Sequence, residues 1–249
     1  MLETLYTSGD YLKKNPTWHI GESPWKAREI MRMMVRNNLA PKTICEVGCG
    51  AGEILKRLQM NMDDSCTFWG YEISPQAFEL CKDRSNEKLH FNLLNITQEK
   101  DAFFDLILVM DVLEHMEDYF SFLREIRHKS LYKIVQLPMD ISVRSILRGE
   151  LTKYRNSYGH IHYFTKELAL QTFKDLGYEL LDYFYTYESV EYLPESSDKL
   201  ENNVLKRLRK RLGKIKRGLL KGRDKLSFTI HEDLAVRILG RWRLLILVK

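Results

Sequence analysis

The chain has no uninterrupted apolar stretch of membrane-spanning length; residues 244–248 form a run no longer than a strand. Its opening, MLETLYTSGDYLKK, mixes acids and bases without an apolar block, so a signal-peptide pattern is absent. Cysteine is scarce. The four cysteines, Cys45, Cys49, Cys66 and Cys81, stand in strand, loop and helix settings that suit reduced thiols, and a cytoplasmic location is expected. The CxxxCxxC spacing of a cluster-bearing radical enzyme fails, because Gly52 occupies the third position. The dinucleotide fingerprint GxGxxG is missing as well: its last glycine would fall at Glu53.

What remains is a chain of 249 residues, 44% hydrophobic, long enough for one substantial core. The net charge of +5 is unevenly distributed. Residues 206–225 hold eleven Lys/Arg against Asp224 alone, a local surplus of ten, which leaves the body mildly acidic.

The organising stretch is TICEVGCGAG, residues 43–52. A β-branched apolar start reads as a buried strand, broken by glycines at 48, 50 and 52, after which Ile54, Leu55 and Leu58 recur at helical spacing. Strand, glycine turn and helix N-terminus make a cradle that a nucleotide or sulfonium group approaches without a Cβ in its way. Ahead of it, Ser23-Pro24 opens a helix over about 23–38, with Ser23 as N-cap and Ile30, Met31, Met34 and Val35 on its apolar face. This helix is expected to lid the cradle, lined by Trp18, Trp25 or Lys26.

Strands are then predicted at Thr67–Glu72, Leu89–Leu94, Phe103–Met110 and Tyr132–Leu137, separated by helices at Pro75–Arg84 and from the DVLEHM segment (Asp111–Met116) to about Lys129. The latter helix is expected to bury Phe120, Leu123 and Ile126. Five strand–helix alternations imply a parallel, doubly wound sheet whose ligands lie beyond the carboxyl ends of the strands. Glu46 and Gly48, Glu72, Asn95, and Met110 with Asp111 all fall at such ends. Glu72 stands where a carboxylate accepts ribose hydroxyls.

Residues 139–164 are too long for a simple connection and carry Arg144, Arg148, Lys153, Tyr154 and Arg155, cations that suit an anionic small-molecule substrate. A helix over Lys166–Leu176 and a strand over Tyr178–Tyr187 follow. From Val204 the apolar positions 204, 208, 212, 215 and 219 form a stripe beneath a cationic face, fit for peripheral contact with anionic lipid or nucleic acid through 204–225. A short helix over Glu232–Leu239 precedes the run Trp242–Val248.

EVGCGAG, the Glu72 strand end and DVLEH together resemble class I S-adenosylmethionine (SAM)-dependent methyltransferases, in the broad group that contains the ubiquinone-biosynthesis O-methyltransferases. The resemblance implies an α/β fold: a Rossmann-like, doubly wound, seven-stranded sheet, mostly parallel with an antiparallel last strand and helices on both faces. One domain over 1–249 is expected, with the lid helix, a substrate-side insertion at about 139–164, and a basic helical insertion at about 199–240 before the last strand. By likeness the cofactor contacts are Glu46, Gly48, Cys49, Gly50, Gly52, Glu72, Ile73, Asn95, Ile96, Met110 and Asp111.

The sulfonium methyl is already activated, so the protein must align an acceptor and exclude water. An oxygen acceptor also needs a base, for which His115 and His160 are the candidates, with His162 behind them. Asp111, Glu114 and His115 with His160 further resemble the ExxEH…H arrangement of small-RNA 2′-O-methyltransferases, where such groups hold a divalent ion over a diol; a metal here is the minor expectation. Methyl transfer to a small-molecule hydroxyl (a sugar, a lipid-linked precursor or an aromatic) is the main reading. RNA 2′-O-methylation with a divalent metal and a non-catalytic SAM-binding module are the alternatives.

Overall fold

A computed structural model describes residues 9–187 and 231–249. Its centre is a seven-stranded sheet: β1 Thr43–Val47, β2 Thr67–Glu72, β3 Leu89–Leu93, β4 Phe104–Met110, β5 Ser130–Pro138, β6 Leu180–Tyr187 and β7 Trp242–Val248, in the order 3-2-1-4-5-7-6. The pairings among β1 to β5 are parallel, while β7 runs antiparallel to β5 on one side and β6 on the other. The order reverses between β1 and β4, which opens a crevice beyond their carboxyl ends.

The central strands read as apolar runs because both of their faces are covered. Along β4, Leu106, Leu108 and Met110 point to one layer, and Ile107 and Val109 to the other. The first layer is closed by α2 (Ser23–Arg36), α3 (Glu53–Asn61) and α4 (Pro75–Cys81). The second is closed by α5 (Tyr119–Ile126), α8 (Lys166–Asp175) and α9 (Glu232–Leu239). A short α1 (Asp10–Lys14) precedes them, and residues 139–164 fold into α6 (Val143–Leu147) and α7 (Glu150–Tyr158).

Several details depart from the sequence reading. Helix α2 starts one residue early: Glu22 is its N-cap and ends a 3-10 turn, so Ser23 is already helical. Its buried stripe runs through Ala27, Ile30, Met33 and Met34, and leaves Val35 77% exposed. In α5 the N-cap Asp118 accepts from the Ser121 amide, and this phase buries Phe122 instead of Phe120. The basic stripe at 204–225 lies outside the described residues. Among the described residues, no helix is long and apolar enough to cross a membrane.

Candidate active site at the carboxyl edge of the sheet

The loop after β1 turns tightly: Gly48 N donates to Tyr71 O (2.8 Å) and Gly52 N to Cys49 O (2.8 Å). Gly50 and Gly52 hold φ of 54° and 73°, a region that side chains disfavour. A Cβ on Gly52 would lie 2.5 Å from the Phe91 ring, and one on Gly50 would lie 2.6 Å from the Trp18 ring. Trp18 thus covers the glycine loop, with Tyr11 packed edge-on against it at 4.9 Å. Cys49 turns its thiol inward, where a contact with Cys81 and burial both push it up; only its backbone faces the loop.

Two cavities open at this edge. One, of about 450 Å³, is lined by Glu72, Ile73, Asn95, Ile96, Val112 and Met116 among others. The other, of about 460 Å³, is bounded by Glu46, Met110, Glu114, Asp140, Tyr154 and His160, again among others. Tyr11, Trp18, Gly48, Asp111 and His115 border both.

Glu72 is held by backbone: one oxygen accepts from Gly50 N (2.8 Å), the other from Ile73 N (2.9 Å) and Ser74 N (2.8 Å). Burial still raises its pKa against the pull of those amides. Asn95 uses its side-chain carbonyl to accept from Thr97 N (3.1 Å), which fixes its orientation at the turn after β3. Glu46 is 2% exposed and one of its oxygens has no hydrogen-bond partner. Burial drives its pKa well up, against the opposing Lys26 ammonium.

Asp111 sits at φ 55°, beyond β4, at the centre of a charge chain. Lys26 Nζ reaches it at 2.9 Å and Glu22 at 3.3 Å, and Arg243 Nε lies 3.3 Å from its other oxygen. Burial alone would raise the Asp111 pKa, yet the two cations hold it below the usual range. So Asp111 is neutralised by protein cations, while Glu114 is not: fully buried, it leaves both oxygens without a hydrogen-bond partner. Desolvation, then the nearby Asp111 charge, raises the Glu114 pKa well above its ordinary value.

Two imidazoles face Glu114. His115 Nδ1 is 3.2 Å from Gly159 O, so its proton resides there and Nε2 is the accepting atom. Burial lowers the His115 pKa to about 4, with the neighbouring His160 adding to the shift. His160 Nδ1 is 2.6 Å from Asp140 Oδ2, which orients the ring. The rings are edge-on at 5.0 Å, and one ligand atom each from Glu114, His115 and His160 fall within 4.8 Å of one another.

The insertion contributes differently from expectation. Of its basic and tyrosine candidates only Tyr154 lines the cavity; Arg144 and Arg148 face Glu150 at 3.8 and 3.9 Å. Trp25 is in the core and lines neither cavity, and His162 packs on Tyr119 away from both. Three residues went unseen in the sequence: Tyr11, Asp140 and Arg243. A strand-end rule would have found Asp140, two residues after β5; an arginine inside the apolar run Trp242–Val248 was itself a signal.

A profile described as a methyltransferase domain matches residues 18–183, more than half of the chain. A SAM-dependent methyltransferase from Archaeoglobus fulgidus superposes with a TM-score of 0.55 at 17% identity, over 90% of this chain and 94% of its own. Magnesium protoporphyrin IX methyltransferase from Synechocystis PCC 6803, solved with bound SAH, gives 0.53 at 16% identity over 70% and 81%. A chain from the complex between the Haloferax volcanii Trm112 methyltransferase activator and a methyltransferase gives 0.60 at 12% identity over 97% and 94%. At these identities the likeness establishes a common fold.

Proposed function

The chain belongs to the methyltransferase-domain family, and from that premise we propose that it methylates an oxygen of a small acceptor seated beside His160. SAM, which the Synechocystis enzyme has also been solved with, is the donor. The observation that carries this reading is the meeting of two cavities at Gly48, Asp111 and His115, one sized for an adenosine and the other open toward a second molecule.

The residues suit that donor. Glycines at 48 and 50 leave room that a Cβ would fill, and the unpartnered Glu46 oxygen is a buried acceptor for an ammonium group. Glu72 presents oxygens already fixed by three amides to ribose hydroxyls, and Ile96, Val112 and Met116 give the adenine an apolar slot. When bound, the donor supplies an activated methyl, which asks alignment and dryness of the protein. Tyr11 and Trp18 cover the junction and exclude water. His160 takes the acceptor's hydroxyl proton at Nε2 while Asp140 holds Nδ1. Arg241, exposed at the cavity and in no ion pair among the described residues, is the group for an acidic substituent on the acceptor.

A second reading rests on Glu114, whose two orphaned oxygens have no purpose in the first. Glu114, His115 and His160 form a hard-carboxylate and imidazole set that fits a divalent cation, with Asp140 behind one histidine as an outer partner. Such an ion would lower the pKa of an acceptor diol. Asp111 has no part in this set, since Lys26 and Arg243 already claim it.

The test is labelled-SAM turnover over a panel of hydroxylated acceptors, with and without chelator, alongside SAM calorimetry. SAM binding with turnover that His160→Ala removes supports the main reading. No SAM binding ends it, and full activity after chelation ends the metal reading alone.

A further inference from the structure

We infer that the outer faces of α6 and α9 form a docking surface for an anionic lipid bilayer, at the rim of the larger cavity. On α6, Val143, Ile146 and Leu147 are 52%, 60% and 81% exposed, at i, i+3 and i+4, so they share one face. On α9, Leu234 and Ile238 are 52% and 42% exposed at i and i+4. Each helix is held by its other side: Ser145 on α6 and Ala235 and Val236 on α9 are buried.

The two ridges adjoin. Gly240, the C-cap of α9, sits on Ser142, the N-cap of α6, so closely that a Cβ on it would fall 2.8 Å from the Ser142 hydroxyl oxygen. Ser142, Ser145, Leu239 and Gly240 are also cavity-lining residues, which puts this apolar surface beside the cavity opening. Five exposed aliphatic side chains gathered at a functional opening mark an interaction site.

The charge around the surface selects the partner. Residues 142–158 carry Arg144, Arg148, Lys153 and Arg155 against Glu150, while on α9 Asp233 is paired with Lys166 and Arg237 with Glu167, so that Glu232 is the acid left to set against this cationic surplus. Aliphatic groups inserted among headgroups and cations at the headgroup phosphates are the two components of interfacial binding. A polynucleotide backbone offers nothing to Leu147. A second copy docked about a two-fold axis would bring two identical cationic rims together. The inference is independent of the methyl-transfer reading, and its test needs no turnover.

The experiment is co-sedimentation of the full chain with phosphatidylcholine vesicles, with or without phosphatidylglycerol, at low and high salt. The chain is expected to bind the anionic vesicles, to release from them at high salt, and to ignore the neutral ones. Ile146→Asp with Leu147→Asp should weaken binding at least about tenfold, with circular dichroism and Tm unchanged. Equal binding to both vesicle types, or equal binding by the double variant, overturns the inference. A Tm lowered by several degrees in that variant would show that the chain covers its own surface. A wild-type dimer that the variant converts to monomer would assign the surface to self-association. Either result overturns the lipid assignment.

Discussion

Replacing Asp111 by Asn separates charge from shape at the centre of the site. Asn has nearly the same volume and tolerates the φ of 55° that Asp111 adopts, so the backbone is not the variable. What is lost is the anion between the buried Lys26 at 2.9 Å and the half-buried Arg243 at 3.3 Å. Breaking a buried ion pair by removing one partner costs about 3–5 kcal/mol. Lys26 retains Glu22 at 3.3 Å, so the lower end, about 3 kcal/mol, is expected. For a chain of this size that is a Tm drop of about 6–12 °C. The pH dependence has a definite sign. The folded pKa of Asp111 lies below its ordinary value of 3.8, so its contribution is complete above that value and is lost as pH falls through the folded one. The stability gap between wild type and Asp111→Asn, measured by urea unfolding, should be constant from neutrality to about pH 4 and close below it. Adding Lys26→Met should recover part of the loss, since one buried cation goes with the anion. A gap under about 1 kcal/mol at pH 7 would refute the buried-pair account.

Other outcomes follow from the same geometry. His115, with its pKa lowered to about 4 from 6.5, is neutral when folded, whereas the unfolded chain takes up a proton between those values. Wild-type stability should therefore fall relative to His115→Gln as pH drops from 6.5 to 4, by about 2–4 kcal/mol in all; parallel Tm–pH curves would contradict this. Burial raises the Glu46 pKa and a cationic donor beside it should lower it again, so SAM calorimetry in buffers of different ionisation enthalpy should show net proton release that Glu46→Gln removes. Gly50→Val, which drives its side chain into Trp18 and the cradle, should remove SAM binding while retaining the fold by circular dichroism. His160→Ala should leave SAM affinity within about twofold and cut turnover by about 10²-fold or more; unchanged turnover would reduce His160 to a structural residue.

Strands were legible because doubly covered strands write themselves as largely β-branched, aromatic and apolar runs; the bounds of β2 and β7 match the sequence to the residue. The phase of helices was less legible. At Phe120 and Phe122, and at Met33 and Val35, two apolar residues compete for one buried position, and the cap and the partner surface decide between them. The glycine loop and the carboxylates at strand ends were visible because local chemistry dictates them. The pairing of Asp111 with Arg243, and of His160 with Asp140, was not, since 132 and 20 residues separate the partners and only the fold brings them together. The insertion's cations misled for a related reason: α7 has no clear apolar side, so sequence could not say which way its charges faced.

The position of β7 between β5 and β6 has a consequence for biosynthesis. Until residues 242–248 have been synthesised, β5 and β6 have no partner on the sides that β7 will fill, and both present open hydrogen-bonding edges. A nascent chain would carry an almost complete crevice on β1 to β4, with β5 already paired to β4, while β6 waits for its keystone. Chaperone capture or misassembly during translation is therefore expected to concentrate at β5 and β6, well away from the glycine loop.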